Sequence, residues 1–380
     1  MSLESNHKET VLVVALGGGG DSVTAHLLAT DWIARGFEAC VASLAWERFV
    51  TDPLPGPRHC SELSCLTEIT NTVGEVTATT AFPAGIKINQ ATLVQSFPNI
   101  RHFILDPYGG VSGLISDLRY LCHVLSISKI IGVDVGGDVL ANHPFPSLRS
   151  PLADAMLVAS IYAIDPDASI YVCGMGLDGE IPMDYLNFSI SEHLQSNDIS
   201  GFYTAPLNLV ENLVPLVKKR LIHTETTALY LYAHHGMYGN VLVRDAGSIV
   251  RVGIESTIGL IYSARNICEK INRLSLLLIG TRSIEEASHI VKQQGFLCEF
   301  FYENELYKKH EHKYLQYNEK LSIETLCFFL SSLNKNISYV AERHIAHMLK
   351  TSVHSIQNVL SSIGDQSNMF PPFLRVHSPE

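Results

Sequence analysis

The chain has 380 residues, 27 Lys and Arg against 38 Asp and Glu for a formal net charge of −11, and 46% hydrophobic residues. This suffices for one large or two ordinary globular domains and excludes a disordered, collagenous or disulfide-stapled chain. The acidic balance, with no locally basic segment, argues against a nucleic-acid partner, since phosphate neutralisation needs a basic face. The first ten residues, MSLESNHKET, lack the charged-then-apolar pattern of a signal peptide, and apolar runs such as 274–279 are too short to cross a bilayer. The expectation is a cytoplasmic protein with no membrane partner. Its eight cysteines, at 40, 60, 65, 122, 173, 268, 298 and 327, form no CxxC pair and are expected to be reduced and mostly buried.

Residues 11–16 (VLVVAL) are a continuous apolar run of the kind shown by a strand buried on both faces, and the run stops at four glycines. Helical spacing follows over 21–35, with Gly36 as a stop, and 37–44 (FEACVASL) is the next strand. Such a β-loop-α-β unit builds a parallel sheet. Residues 52–100, Thr-rich with five prolines, suggest an elaborated loop or a pair of short strands over the sheet. Alternation then resumes with a strand at 102–105, a helix at 111–125, a strand at 129–133, a helix at 151–163 and a strand at 169–173. Beyond 201 the spacing predicts a helix at 207–221, a helix or strand at 228–233, and a hairpin of 241–243 with 249–252 around Asp245-Ala246-Gly247. Residues 274–279, 284–294 and 296–301 suggest a further β-α-β unit, 302–320 a polar linker, 321–363 two or three helices, and the end a tail.

The expected fold class is α/β: a doubly wound, mostly parallel, Rossmann-like sheet with a small C-terminal helical module. The ligand-binding domain spans 1–205 and continues over 206–301; the linker covers 302–320 and the module with its tail 321–380, the latter a possible surface for homo-oligomerisation. In open α/β sheets ligands bind beyond the carboxyl ends of the strands. The first strand ends in Gly17, Gly18, Gly19, Gly20, Asp21 and Ser22, and the second in Trp46, Glu47 and Arg48. The others end in Asp106-Pro107-Tyr108 with Gly109 and Gly110, in Asp134-Val135 with Gly136, Gly137 and Asp138, and in a GMGLDGE stretch carrying Asp178 and Glu180. Glycines let backbone N–H groups approach an anion, while carboxylates welcome a divalent cation or sugar hydroxyls. Mg²⁺ with a nucleotide meets both halves of that pattern.

Single Gly-Asp pairs also serve as helix caps, and Asp21, Asp138 and Asp154 are each placed to cap one. Arg48, Arg58 and Arg149 suit a phosphate or carboxylate clamp as well as a solvated surface. The adjacent His234 and His235 diverge on any regular element and make a poor shared metal site.

The motifs GGGGD, WER, DPLPGPR, DPYGGVSGL, GVDVGGDVL, LRSPLADAM and GLDGE, in that order over residues 11–252, resemble a domain-of-unknown-function family of archaeal and bacterial α/β proteins, which implies the fold but no activity. The loop from Gly17 to Ser22 also resembles the SGGxDS loop of the ATP pyrophosphatase superfamily, with Gly17 where that family has Ser. This resemblance implies adenylation of a substrate that is then joined to a nitrogen or sulfur nucleophile. Near the C-terminus, 345–353 with Ile356 and Leu360 resembles the spacing of a helix-turn-helix, but with few basic residues it is expected to act as an interaction or dimerisation module.

The leading expectation is an ATP- and Mg²⁺-binding enzyme, of ligase or transferase type, that activates a small polar substrate. Gly17 to Gly20, Ser22, Gly109, Gly110, Gly136, Gly137, Arg48 and Arg149 would hold the nucleotide. Asp21 and Asp138 would bind Mg²⁺, and Asp134, Asp178 and Glu180 would orient substrate or ribose hydroxyls. The alternatives are a hydrolase or transferase on a nucleoside or sugar phosphate, and a non-catalytic nucleotide or metabolite sensor whose C-terminal module reports occupancy.

Overall fold

A computed structural model describes residues 8–83, 85–245, 247–309, 321–363 and 370–376. In chain order it runs β1 (Thr10–Ala15), α1 (Asp21–Ala34), β2 (Glu38–Leu44), β3 (Thr67–Thr70), β4 (Val73–Glu75), α2 (Asn89–Ser96), β5 (Arg101–Leu105), α3 (Gly110–Val124), β6 (Ile127–Val135), α4 (Pro151–Ile164), β7 (Ser169–Cys173), α5 (Met183–Gln195) and β8 (Ile199–Tyr203). There follow α6 (Leu207–Lys218), α7 (Thr226–Ala233), β9 (Gly239–Val243), β10 (Ser248–Val252), β11 (Gly259–Ser263), α8 (Ala264–Asn266), α9 (Leu274–Leu278), α10 (Ile284–Gln293) and α11 (Glu299–Lys309). The C-terminal region adds α12 (Ile323–Ser332), β12 (Tyr339–Ala341), α13 (Glu342–Met348), α14 (Val353–Ile363) and β13 (Phe373–Arg375).

Nine strands form the main sheet in the order β3-β4-β5-β2-β1-β6-β7-β11-β8. The five central strands, β5-β2-β1-β6-β7, are parallel, and the outer ones pair antiparallel. The parallel strands, counted along the chain, lie in the order 3-2-1-4-5, so the fold is Rossmann-like with its switch point between β1 and β6. Side chains alternate across the sheet: Leu12 and Val14 of β1 pack toward α3 and α4, whereas Val11, Val13 and Ala15 pack toward α1, α6 and α7. Every one of them is fully buried, which explains the unbroken apolar run. Burial of each such Val or Leu contributes about 1.5–3 kcal/mol.

Several expectations need correcting. The Thr-rich tract does hold a pair of short strands, β3 and β4, but they extend the sheet edge beside β5, and α2 follows them. The β-α-β unit expected over 274–301 is absent: 274–278 is helix α9, α10 follows, and α11 starts at Glu299. Residues 302–309, expected as linker, belong to α11, while 310–320 lie outside the described residues. The described residues of the C-terminal region hold three helices but are not purely helical. Its β12 and β13 join the β9–β10 hairpin in a second sheet, β10-β9-β12-β13, so part of the expected tail is a strand. Among the described residues no helix is long and apolar enough to cross a membrane. Five of the eight free cysteines are buried, and Cys65 and Cys327 are exposed.

Candidate functional site

At the carboxyl ends of β1, β2, β6 and β7 lies a cavity of about 500 Å³, at the switch point. Gly17 to Gly20, Asp21, Trp46 to Arg48, Asp138, Arg149, Ser150, Asp154 and Asp178 line it, with Arg244, Arg343, Glu299, Tyr302 and Glu303 from later elements. Of the residues singled out by sequence, Asp134, Glu180, Gly136 and Gly137 lie directly behind this lining. Gly109 and Gly110 do not reach the cavity: a Cβ on Gly110 would strike Thr281 and Ser283, so that glycine serves the packing of α3 against α10. Arg58 is tied up within its own loop by Asp52 (2.8 Å) and the Pro55 and Gly56 carbonyls. His234 bonds the Tyr230 carbonyl and His235 is exposed, both away from the cavity.

The four glycines of the first loop have negative φ, so left-handed backbone does not require them. Close approach does. A Cβ would run into the Asp21 carboxylate from Gly17, the Trp46 carbonyl from Gly18, the Glu47 carboxylate from Gly19 and the Thr224 hydroxyl from Gly20. The Gly19 N–H donates to the Trp46 carbonyl (3.1 Å) and Ser22 Oγ to the Gly19 carbonyl (2.5 Å). The loop therefore packs against the end of β2 and spends on it at least one of the N–H groups expected to face a phosphate. Asp21, Asp138 and Asp154 are not N-caps either: Gly20, Gly137 and Ser150 occupy those positions, and Glu299 receives the Leu152 and Ala153 N–H groups at the start of α4 (3.0 Å each).

Six carboxylates converge behind the loop in two triads, each with ligand atoms within 4.8 Å of one another: Asp21–Asp134–Asp154 and Asp138–Asp178–Glu180. Asp21 and Asp138, paired by sequence, thus fall into different triads. Gly136 (φ 129°) and Gly137 (φ 97°) make this possible. The turn brings the Gly137 N–H back to Asp134 Oδ2 (3.0 Å), and a Cβ on Gly136 would occupy the Asp178 carboxylate position.

The second triad is well tied. Glu180 Oε1 meets Arg244 Nη2 and Ser150 Oγ, both at 2.6 Å, and Oε2 accepts the Arg149 (2.7 Å) and Ser150 (3.0 Å) N–H groups. Burial opposes its ionisation, but Arg244 and these hydrogen bonds hold the Glu180 carboxyl below its usual range. In the first triad Asp134 Oδ1 and Asp154 Oδ1 are buried without a hydrogen-bond partner. Burial, and then the charge of Asp138, push Asp134 and Asp154 well up. The same two causes raise Asp21 to about 8 against the pull of Arg48, while burial and Glu180 raise Asp138 to about 6. Burial and Asp52 raise Glu47 to about 8. Burial thus favours the protonated form of Asp21, Asp134, Asp154 and Glu47, while Glu180 stays ionised.

Facing the acids, Arg48 stacks over Trp46 (4.9 Å) and lies 3.6 Å from Glu299, with Nε and Nη2 lacking hydrogen-bond acceptors. Arg48 and Phe49 are consecutive residues with positive φ, 49° and 60°, a strained turn that aims the guanidinium into the cavity. Arg149 lies over the ring of Tyr302 (5.7 Å). The arrangement sets a floor of carboxylate oxygens, donors that could hold a hard cation, against guanidinium groups of the kind that bind anions.

Residues 12–307 match one family over its full run of strand-end motifs. The chain belongs to it: the family described as Protein of unknown function (DUF1152). No curated protein and no solved structure gives a significant match. In this DUF1152 chain the matched stretch holds both triads, Arg48 and most of α11, whereas Arg343 comes from beyond it. Sequence reasoning missed Arg244, Arg343, Glu299, Glu303 and the place of Asp154 and Glu47 in the cavity lining. Asp154 and Glu47 sit inside motifs already conspicuous in the sequence; a single Arg in a hairpin turn and acids on a polar helix give no such signal.

Proposed function

We propose that this protein is a Mg²⁺-dependent enzyme that binds a phosphate-bearing ligand, with ATP as the first candidate, and activates a small polar substrate in a ligase- or transferase-type reaction. The observation that carries it is the pairing of buried, unpartnered Asp134 and Asp154 oxygens with an opposed Arg48 guanidinium whose Nε lacks an acceptor and whose Nη2 reaches Glu299 only at 3.6 Å. Buried unpaired polar atoms of both signs are costly unless a ligand completes them. In this function the carboxylates hold the cation, and Arg48 and Arg149 bind phosphate oxygens and neutralise charge that develops there. The first loop contributes shape more than N–H donors, because Gly19 is already engaged with Trp46.

That engagement also favours a second possibility, a hydrolase or transferase on a nucleoside or sugar phosphate, in which the cation alone carries the phosphate and a carboxylate serves as general base. A ligand sensor is the non-catalytic counterpart, supported by Arg343 of the C-terminal region lining the cavity. Thermal-shift titration with ATP, AMP, GTP and sugar phosphates, with and without Mg²⁺, tests the proposal on wild type and Asp21→Ala. A Mg²⁺-dependent rise in Tm with ATP that Asp21→Ala removes is the expected result. A rise with a sugar phosphate alone selects the second possibility, and no rise with any ligand rejects both.

A further inference from the structure

The two acid triads differ in what already neutralises them. Arg244 reaches the Asp138–Asp178–Glu180 triad and is anchored there twice, through Nη2 to Glu180 and through Nε to the Asp178 carbonyl, both at 2.6 Å. Its backbone is fixed as well. Arg244 has a φ of 57° in the β9–β10 turn, its N–H points to Glu225 Oε2 (3.3 Å), and its carbonyl faces His344 Nδ1 (3.1 Å). Ser150 Oγ lies between Asp138 Oδ2 (2.9 Å) and Glu180, and the Glu180 N–H takes Asp178 Oδ1 (3.0 Å), so that Asp178 Oδ2 is the leftover oxygen.

The Asp21–Asp134–Asp154 triad feels the charge of Arg48 on Asp21 and Asp154 but has no Lys or Arg ion pair among the described residues, and two of its oxygens, on Asp134 (1% exposed) and Asp154 (2% exposed), are unpartnered. Its donors are all carboxylate oxygens, the set that Mg²⁺, Mn²⁺ and Ca²⁺ prefer. We infer that the pocket takes a single divalent cation, in the Asp21–Asp134–Asp154 triad, and that the Arg244 guanidinium stands in the Asp138–Asp178–Glu180 triad as a tethered cation in place of a second ion. This deepens the Mg²⁺-dependent function proposed above and rests on it. An ion entering the second triad would have to displace a guanidinium fixed at both ends and then sit beside its charge.

Mn²⁺ titration of the full chain, followed by electron paramagnetic resonance of the free ion and by calorimetry, tests this without an activity assay. Wild type should bind one ion. Asp154→Asn should weaken it at least tenfold, while Asp178→Asn leaves one ion bound with similar affinity. Arg244→Gln should raise the stoichiometry to two and Arg244→Lys should keep it at one; the two Asp variants and the Lys variant decide the matter if Arg244→Gln does not fold. Two ions on wild type, none at all, or a loss in Asp178→Asn that spares Asp154→Asn would overturn the inference. One Mn²⁺ bound in the first triad with no ligand-induced thermal shift would instead reject the proposed function alone, and two ions with an ATP shift would reject this inference alone.

Discussion

The two triads hold three carboxylates each and are built at the ends of neighbouring strands, and burial raises every acid in them but one, Glu180. Arg244, Ser150 and two backbone N–H groups hold Glu180 below its usual range, whereas burial and then the charge of Asp138 push Asp134 and Asp154 well up, the Gly137 N–H on Asp134 notwithstanding. The difference teaches that buried acids are not equivalent evidence of a site. One cluster is tied by the chain itself through Arg244 and Ser150, with Asp178 Oδ2 left over, whereas the other keeps an unpartnered oxygen on each of Asp134 and Asp154.

The sharpest way to break the comparison is to remove the acid that anchors Arg244. Glu180→Ala leaves a buried guanidinium without its carboxylate and should cost about 3–5 kcal/mol, read by denaturant unfolding. The same measurement on Asp154→Asn should show no loss, since an uncompensated acid is removed. A destabilised Asp154→Asn with a neutral Glu180→Ala would invert the assignment of the two triads.

Next in size is the pH dependence. The Asp21 and Glu47 carboxyls, raised to about 8 by burial first, keep protons that the unfolded chain loses near pH 4. Native-state stability contributed by those protons is present at low pH and falls as pH rises toward 8, by up to about 1.4 kcal/mol per pH unit for each group. Unfolding without divalent cations should therefore be easier at pH 8 than at pH 6, and Mg²⁺ should restore more stability at pH 8. Equal Mg²⁺ effects at both values would show that the floor carries no such protons.

A smaller term of opposite sign comes from outside both triads. His26 and His102 bond each other at 2.9 Å in the core. Burial lowers His26 to about 3, and burial together with His26 holds His102 well below the usual imidazole range. The unfolded chain takes up these protons below about pH 6.5 and the folded chain does not, so each imidazole should cost about 1 kcal/mol between pH 6.5 and 5.5. Denaturation in that window on wild type and His102→Gln separates this loss from the carboxylates, which act the other way.

Much of the scaffold was legible because the parallel strands are buried on both faces and read as unbroken apolar runs that end in Gly and Asp. The same criterion misled at 274–278, where LSLLL is as apolar as a strand and only its neighbours make it a helix turn. Helix α11 read as linker because its outward face is charged, although Glu299 and Glu303 turn inward to cap α4 and to hold the Trp46 indole. The acids of the site were visible one by one, but their grouping was not. Which triad Asp21 joins depends on the turn at Gly136 and Gly137 and on the depth of Asp154 in α4, distances that strand order alone does not set.

The β9–β10 turn is clasped from below by Arg343 and His344, which belong to a region the DUF1152 match does not reach. The pocket thus has a floor inside the matched stretch and one wall from outside it. A chain trimmed to the matched stretch would carry the same acids under an unbuttressed turn, so the hold on Arg244 depends in part on residues more than ninety positions away in the sequence.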